Sequence, residues 1–167
     1  MTQTGSMVLR RAKFPTSAFW IPNWRFNALC VRLSEAREIV ERFSLRTLPV
    51  TTPKSEDTGA AQLLPEVSHE PWFDPDALAN IGTRHHGSSG ARCGTCGVWR
   101  WLPIPTPDQP QPAIRASDGA HFLASPEWFG DGLVAMHSLR FSRPLAEALV
   151  ALNPRAWSIQ EPDPGRD

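Results

Sequence analysis

The sequence predicts an α+β fold built from two related strand–helix–strand units. Three observations carry that expectation. Two separate stretches each show the two-residue alternation of a strand, followed by the 3.6-residue period of an amphipathic helix. A long, proline-punctuated middle with a single C-x-x-C-G motif lies between them. The 167-residue chain is 41% hydrophobic, enough for an ordinary globular core without disulfide support.

The first unit is read in "NALCVRLSEAREIVERFSLRTLPVTTP", residues 27 to 53. Leu29, Val31 and Leu33 alternate with Cys30 and Arg32, as in a half-buried strand. Ser34 suits a helix N-cap and Glu35 its first turn. Ala36, Ile39, Val40 and Phe43 then recur at helical spacing, one apolar stripe. Leu48 and Val50 open a further strand that ends near Pro53. The second unit is read in residues 133 to 162. Leu139 and Phe141 flank Arg140, Ser142 stands at a cap, and Pro144 fits a first helical turn. Leu145, Ala148, Leu149 and Leu152 repeat the stripe. Asn153 and Pro154 stop the helix, and Trp157 and Ile159 are expected to form a closing strand.

Residues 51 to 76 are polar, acidic and broken by prolines, which predicts a surface loop. "PIPTPDQPQP", residues 103 to 112, holds five prolines in ten positions and predicts a semi-rigid connector. "GSSG" at 87 to 90 is a flexible turn. The expected organisation is a flexible end at 1–18, one α+β domain at 19–162, and a tail at 163–167. Within the domain, 19–53 is the first unit, 54–112 a loop with the C-x-x-C-G knuckle and the connector, and 113–162 the second unit.

Lysine plus arginine equals aspartate plus glutamate, 17 against 17. This balance argues against a general nucleic-acid binder and against a polybasic membrane-surface protein. No stretch approaches the ~20 apolar residues of a membrane span or the core of a signal peptide. A cytoplasmic location follows as the expectation. Three cysteines, an odd number, fit a reducing compartment better than a disulfide framework.

The most informative stretch is "RHHGSSGARCGTCGVWRW", residues 84 to 101. Cys93 and Cys96 stand three apart, the spacing at which a turn aims two sulfurs at one metal ion, and Gly97 allows the positive φ such a turn needs. A structural zinc takes four ligands, so two more are required. His85 and His86 lie just upstream across GSSG and are the first candidates; Cys30, His69, His121 and His137 are the others. A structural zinc ion is the one cofactor this pattern suggests. Two unligated thiols in a turn, or a redox dithiol, are the alternatives. A redox pair stands at a helix N-terminus after a strand, whereas "GVWRWLPIP" reads as strand and then proline-rich.

No G-x-S-x-G elbow, H-E-x-x-H helix or phosphate-cradling glycine loop is present, so a non-enzymatic protein is expected. Glu127 and Asp131 form a carboxylate pair in "SPEWFGDG", but Trp128 and Phe129 are expected to anchor that turn in the core with the acids facing water. Trp20 and Trp24 read as packing of an N-terminal segment. Trp72, Trp99 and Trp101 are core by default, or a binding face if exposed.

The stretch from the C-x-x-C-G motif through "FLASPEWFGDGLVAMHSLRFSRPLAEALVALNPRAWSIQEP" resembles the double-CXXCG motif family, a set of paralogous proteins from myxobacteria. The shared order is a CXXCG knuckle, a phenylalanine-bearing stretch like that at Phe122, then strand, amphipathic helix and a final apolar strand ending near proline. The likeness covers roughly residues 27 to 162 and matches Cys93 and Cys96 to the family's second pair. The first CXXCG is missing, with only Cys30 before position 93, so a four-cysteine zinc site assembled from two knuckles is not expected; either histidine substitutes or the metal has been lost.

Some members of that family are immunity proteins that neutralise a toxin exchanged between kin cells. The resemblance therefore implies a protein that binds a cognate toxin domain. The acidic residues Glu56, Asp57, Glu66 and Glu70 would suit a basic toxin, or else form a solvated loop. The alternative is a zinc-ribbon nucleic-acid or regulatory module using Trp99, Arg100 and Trp101 as a stacking and phosphate patch. A dithiol oxidoreductase built on Cys93 is a third reading.

Overall fold

The computed structural model describes residues 5–9, 17–22, 28–54, 56–105, 108–113, 119–130, 135–155 and 157–159. Three α-helices and several short strands in mixed sheets make the protein α+β. The described residues divide between two compact lobes. One lies within Met1–Pro65 and Phe141–Gln160, the other within Glu66–Arg140.

In the first lobe the chain runs β1 (Met7–Val8), β2 (Phe19–Trp20), β3 (Leu29–Arg32), α1 (Leu33–Arg42), β4 (Arg46–Thr51) and β5 (Asp57–Leu64). The sheet order is β1-β4-β5-β3-β2. The expected strand–helix–strand unit is β3–α1–β4, with corrections: helix α1 starts at Leu33, expected in the strand, so Arg32 and not Ser34 holds the cap position. Strand β5 enters between β3 and β4 and pairs antiparallel with both. The sheet register puts Trp20, Cys30, Val50 and Ala60 on one face, where they form a cluster packed by Met7 and Leu9. Phe19, Leu29, Val31, Ala61 and Leu63 share the other face. Helix α1 lies against β3 and β5 and also meets α3 (Arg143–Leu152). Strand β3 is buried on both sides, not half-buried, because both faces of the sheet are covered.

Strand β5 corrects the surface loop expected at 51–76. Its residues Ala60, Ala61, Gln62 and Leu63 are buried at the centre of the sheet. Alanine and glutamine are poor strand formers in isolation, but hydrogen-bonded neighbours on both sides override propensity. The turn before it is tied by Thr52, whose hydroxyl accepts from the Lys54 and Glu56 N–H groups. A bulge at Thr58 and Gly59, the latter at φ +67°, shifts the register against Val50 and Thr51.

The second lobe contains β6 (Glu66–Val67), α2 (Pro75–His86), β7 (Gly90–Arg92), β8 (Trp99–Trp101), β9 (Phe122–Ala124), β10 (Trp128–Phe129) and β11 (Leu139–Phe141, whose last residue opens the return to the first lobe). These strands form two small sheets, β10-β8-β7 and β11-β9-β6. The core is Trp72, Phe73, Leu78 and Phe129, packed by Trp101, Ile104, Leu123 and Met136. Helix α2 is a second correction to the expected loop. Asp74 caps it by accepting from the Ala77 N–H at 2.8 Å, Pro75 occupies its first turn, and Gly87 ends it at φ +75°. The described residues of the proline-rich segment, 103–105 and 108–112, carry no strand or α-helix.

The second expected unit forms only in part. Strand β11 leads into α3, and the Ser142 hydroxyl accepts from the Leu145 N–H as a cap. Residues 157–159 then form no strand. The Trp157 ring packs on Phe19 at 4.8 Å between centroids instead, and β11 pairs in the β11-β9-β6 sheet. The two stretches share an amphipathic pattern without sharing an architecture.

Candidate functional site

Cys93 and Cys96 lie in the turn of the β7–β8 hairpin. The strands pair antiparallel, Gly90 with Trp101 and Arg92 with Trp99. Inside the turn the Cys93 N–H donates to the Val98 carbonyl and the Gly97 N–H to the Cys93 carbonyl, both at 2.9 Å. Gly97 takes φ +70°, the positive φ expected from the motif. Arg92 clamps the loop by donating to the Gly97 carbonyl at 3.0 Å.

This geometry directs donors at one sulfur. The Cys93 thiol falls to about 7 because the backbone N–H groups of Cys96 and Thr95 point at it, followed by the Cys96 thiol; the Arg100 guanidinium adds a smaller effect. Arg100 Nη2 stands 3.3 Å from Cys93 Sγ. Such a turn stabilises a thiolate, the form in which sulfur binds metal or attacks a disulfide. Both cysteines are free thiols, Cys93 half-buried and Cys96 exposed. The motif joins two strands and does not open a helix, so no helix dipole acts on it.

The structure places the other candidate ligands apart from this pair. His85 and His86 end α2. His85 Nε2 is 3.0 Å from the Asp108 carboxylate, and His86 Nε2 donates to the Pro103 carbonyl at 2.8 Å. Cys30 is buried in the first lobe with its thiol pushed up to about 12 by burial, 3.7 Å from Met7 Sδ. All three cysteines and all five histidines are described, yet no group of three or more His, Cys, Asp or Glu that could hold a metal forms among the described residues. The dithiol supplies two ligands of the four that a structural zinc takes.

The tryptophans divide as well. Trp72 is fully packed, Trp101 is half-buried, and Trp99 is 36% exposed beside Val98 at 38%. Trp99 and Trp101 meet edge to face at 5.6 Å. With Arg100 turned to the Cys93 sulfur, this trio is not arranged as parallel stacking platforms. Trp24 and Asp131 lie outside the described residues.

The sequence places the Glu127 carboxylate in water, whereas in the structure it organises the second lobe. Its Oε1 accepts from the N–H groups of Trp72 at 2.8 Å and Phe73 at 3.3 Å. Its carbonyl accepts from Ser125 Oγ and His137 Nδ1. A carboxylate fifty-five residues away in sequence thus satisfies two backbone donors beside the core. Sequence spacing held no signal for this pairing.

His137 lies on Trp128, ring centroids 3.8 Å apart, and burial holds its pKa below the ordinary 6.5. The unfolded chain therefore takes up a proton near pH 6.5 before the folded chain does, so stability rises with pH through this window. The denaturant midpoint of the second lobe should fall between pH 7 and pH 5, and His137→Gln should flatten that dependence. A midpoint that stays level or rises on acidification would contradict the assignment.

A scan of protein-family models found no match to this chain, and neither the curated proteins nor the solved structures yielded a similar one. Among the described residues no helix is long and apolar enough to cross a membrane.

Proposed function

We propose that this chain is a non-enzymatic binding protein, an immunity protein that occludes a cognate toxin domain. The observation that carries the reading is the acidic edge of the second lobe. Strand β6 stands at the end of the β11-β9-β6 order, paired with β9. Glu66 and Val67 are both exposed, Val67 at 45%, and exposed His69 and Glu70 follow. An apolar residue flanked by carboxylates on a sheet edge suits a basic protein surface, where opposite charge speeds and selects association. Glu56 and Asp57 contribute less, because they shape the β4–β5 turn. Glu56 accepts from the Thr52 hydroxyl, and Asp57 Oδ1 from the Gly59 N–H.

The resemblance to immunity proteins in the double-CXXCG family supports the same direction, and a cytoplasmic site of action would follow from it. The test is charge reversal on this edge. Glu66→Lys with Glu70→Lys should slow association with the captured toxin about tenfold at low salt and flatten its salt dependence. Unchanged association and salt dependence would remove β6 as the contact.

A further inference from the structure

We propose that Cys93 and Cys96 form half of an intermolecular metal centre, in which one zinc ion joins two copies of this chain through four thiolates. The local geometry of the turn and the ligands within reach of it do not match. The turn is built as a metal-binding half-site: its backbone is closed by two internal hydrogen bonds and clamped by Arg92. The N–H groups of Thr95 and Cys96 point at the Cys93 sulfur. Two thiolates complete half of a tetrahedral zinc shell. Every cysteine and histidine of the chain is described, and none joins the pair in a metal-binding group. His85 and His86 are engaged by Asp108 and the Pro103 carbonyl.

A second copy supplies the missing ligands without rearranging this lobe. Residues 94–99 are all exposed at the hairpin tip, so two tips can meet around one ion. Val98 and Trp99, among the exposed large apolar side chains, flank the thiols and would be covered by the same approach. Charge also fits. Four thiolates around a divalent ion leave a net charge of −2, and each copy brings Arg92 and Arg100 into the turn, with Arg100 already on the Cys93 sulfur. A ligand set contributed equally by two copies is the isologous arrangement of a two-fold dimer. The proposal does not depend on the toxin partner.

The experiment uses the full purified, reduced chain, sedimentation with metal analysis, and cobalt(II) as a spectroscopic probe. Stoichiometric zinc should give a dimer with one ion per two chains, and a chelator should return it to a monomer of half the mass. Cobalt(II) should show tetrahedral bands with the sulfur charge-transfer intensity of four thiolates. Cys96→Ser should remain monomeric with zinc, its fold checked by circular dichroism. Chelation of the unaltered chain gives the same test without a substitution. One zinc per monomer, two-thiolate cobalt spectra, or no zinc uptake by the reduced chain would each overturn the proposal.

Discussion

Replacing Trp72 by alanine is expected to destabilise the second lobe by about 3–5 kcal/mol. The indole is 2% exposed and stands with Phe73, Leu78 and Phe129 at the centre of that lobe. Its backbone is held from two sides, its N–H by Glu127 and its carbonyl by the Ala113 N–H at 2.7 Å. The surrounding contacts come from a helix, two small sheets and the proline-rich segment, so little can collapse into the space left behind. A loss of this size is a large share of the total stability of a small protein. Hydrogen exchange is the direct readout. Amides of Trp101 and Phe129, both in the core's surrounding strands, should lose protection, whereas Trp72→Phe should retain most of it. Protection unchanged in the alanine variant would mean that this core is not centred on Trp72.

Gly90→Ala is expected to open the β7–β8 hairpin at a cost of about 3 kcal/mol or more, at or above the upper end of ordinary overpacking. A Cβ at Gly90 would lie 2.2 Å from the Arg100 carbonyl oxygen and 3.0 Å from its carbon. Both are backbone atoms of the partner strand, so no rotamer change relieves the clash. The strands must separate, and the Cys93–Val98 turn loses the frame that sets its sulfurs. The substitution should reduce zinc affinity together with stability, although it touches neither cysteine. Gly94→Ala is the control, because a Cβ there meets nothing within 4 Å. Equal stability and metal uptake in the two variants would contradict this account of the hairpin.

Legibility in the sequence followed local signal strength. Helices α1 and α3 could be read because their apolar residues recur on one face, and Ser142 also marks a cap. Helix α1 starts at Leu33, with Arg32 in the cap position and no side-chain cap; an Arg32–Glu35 ion pair at 3.4 Å spans its first turn. Helix α2 carried its punctuation openly, Asp74-Pro75 before and Gly87 after. Its apolar stripe is thin, with only Leu78 and Gly82 buried, and its acidic, proline-bearing surroundings carry the local pattern of a loop. Strand β5 was hidden for a different reason. Ala60 and Ala61 have little intrinsic strand preference, and their burial comes from β3 and β4, which local pattern does not show. The C-x-x-C-G turn was legible because its spacing fixes its own geometry. The distances from His85 and His86 to other groups depend on where α2 ends, which only the fold decides.

The central claim, that this chain binds and neutralises a protein toxin, is tested most directly by affinity capture from its own source cells, with a nuclease-treated arm. The account predicts one stoichiometric protein partner that survives nuclease, whose expression alone arrests growth and whose co-expression with this chain restores it. Recovery of nucleic acid in place of that partner, or a captured protein that is harmless when expressed alone, would contradict it.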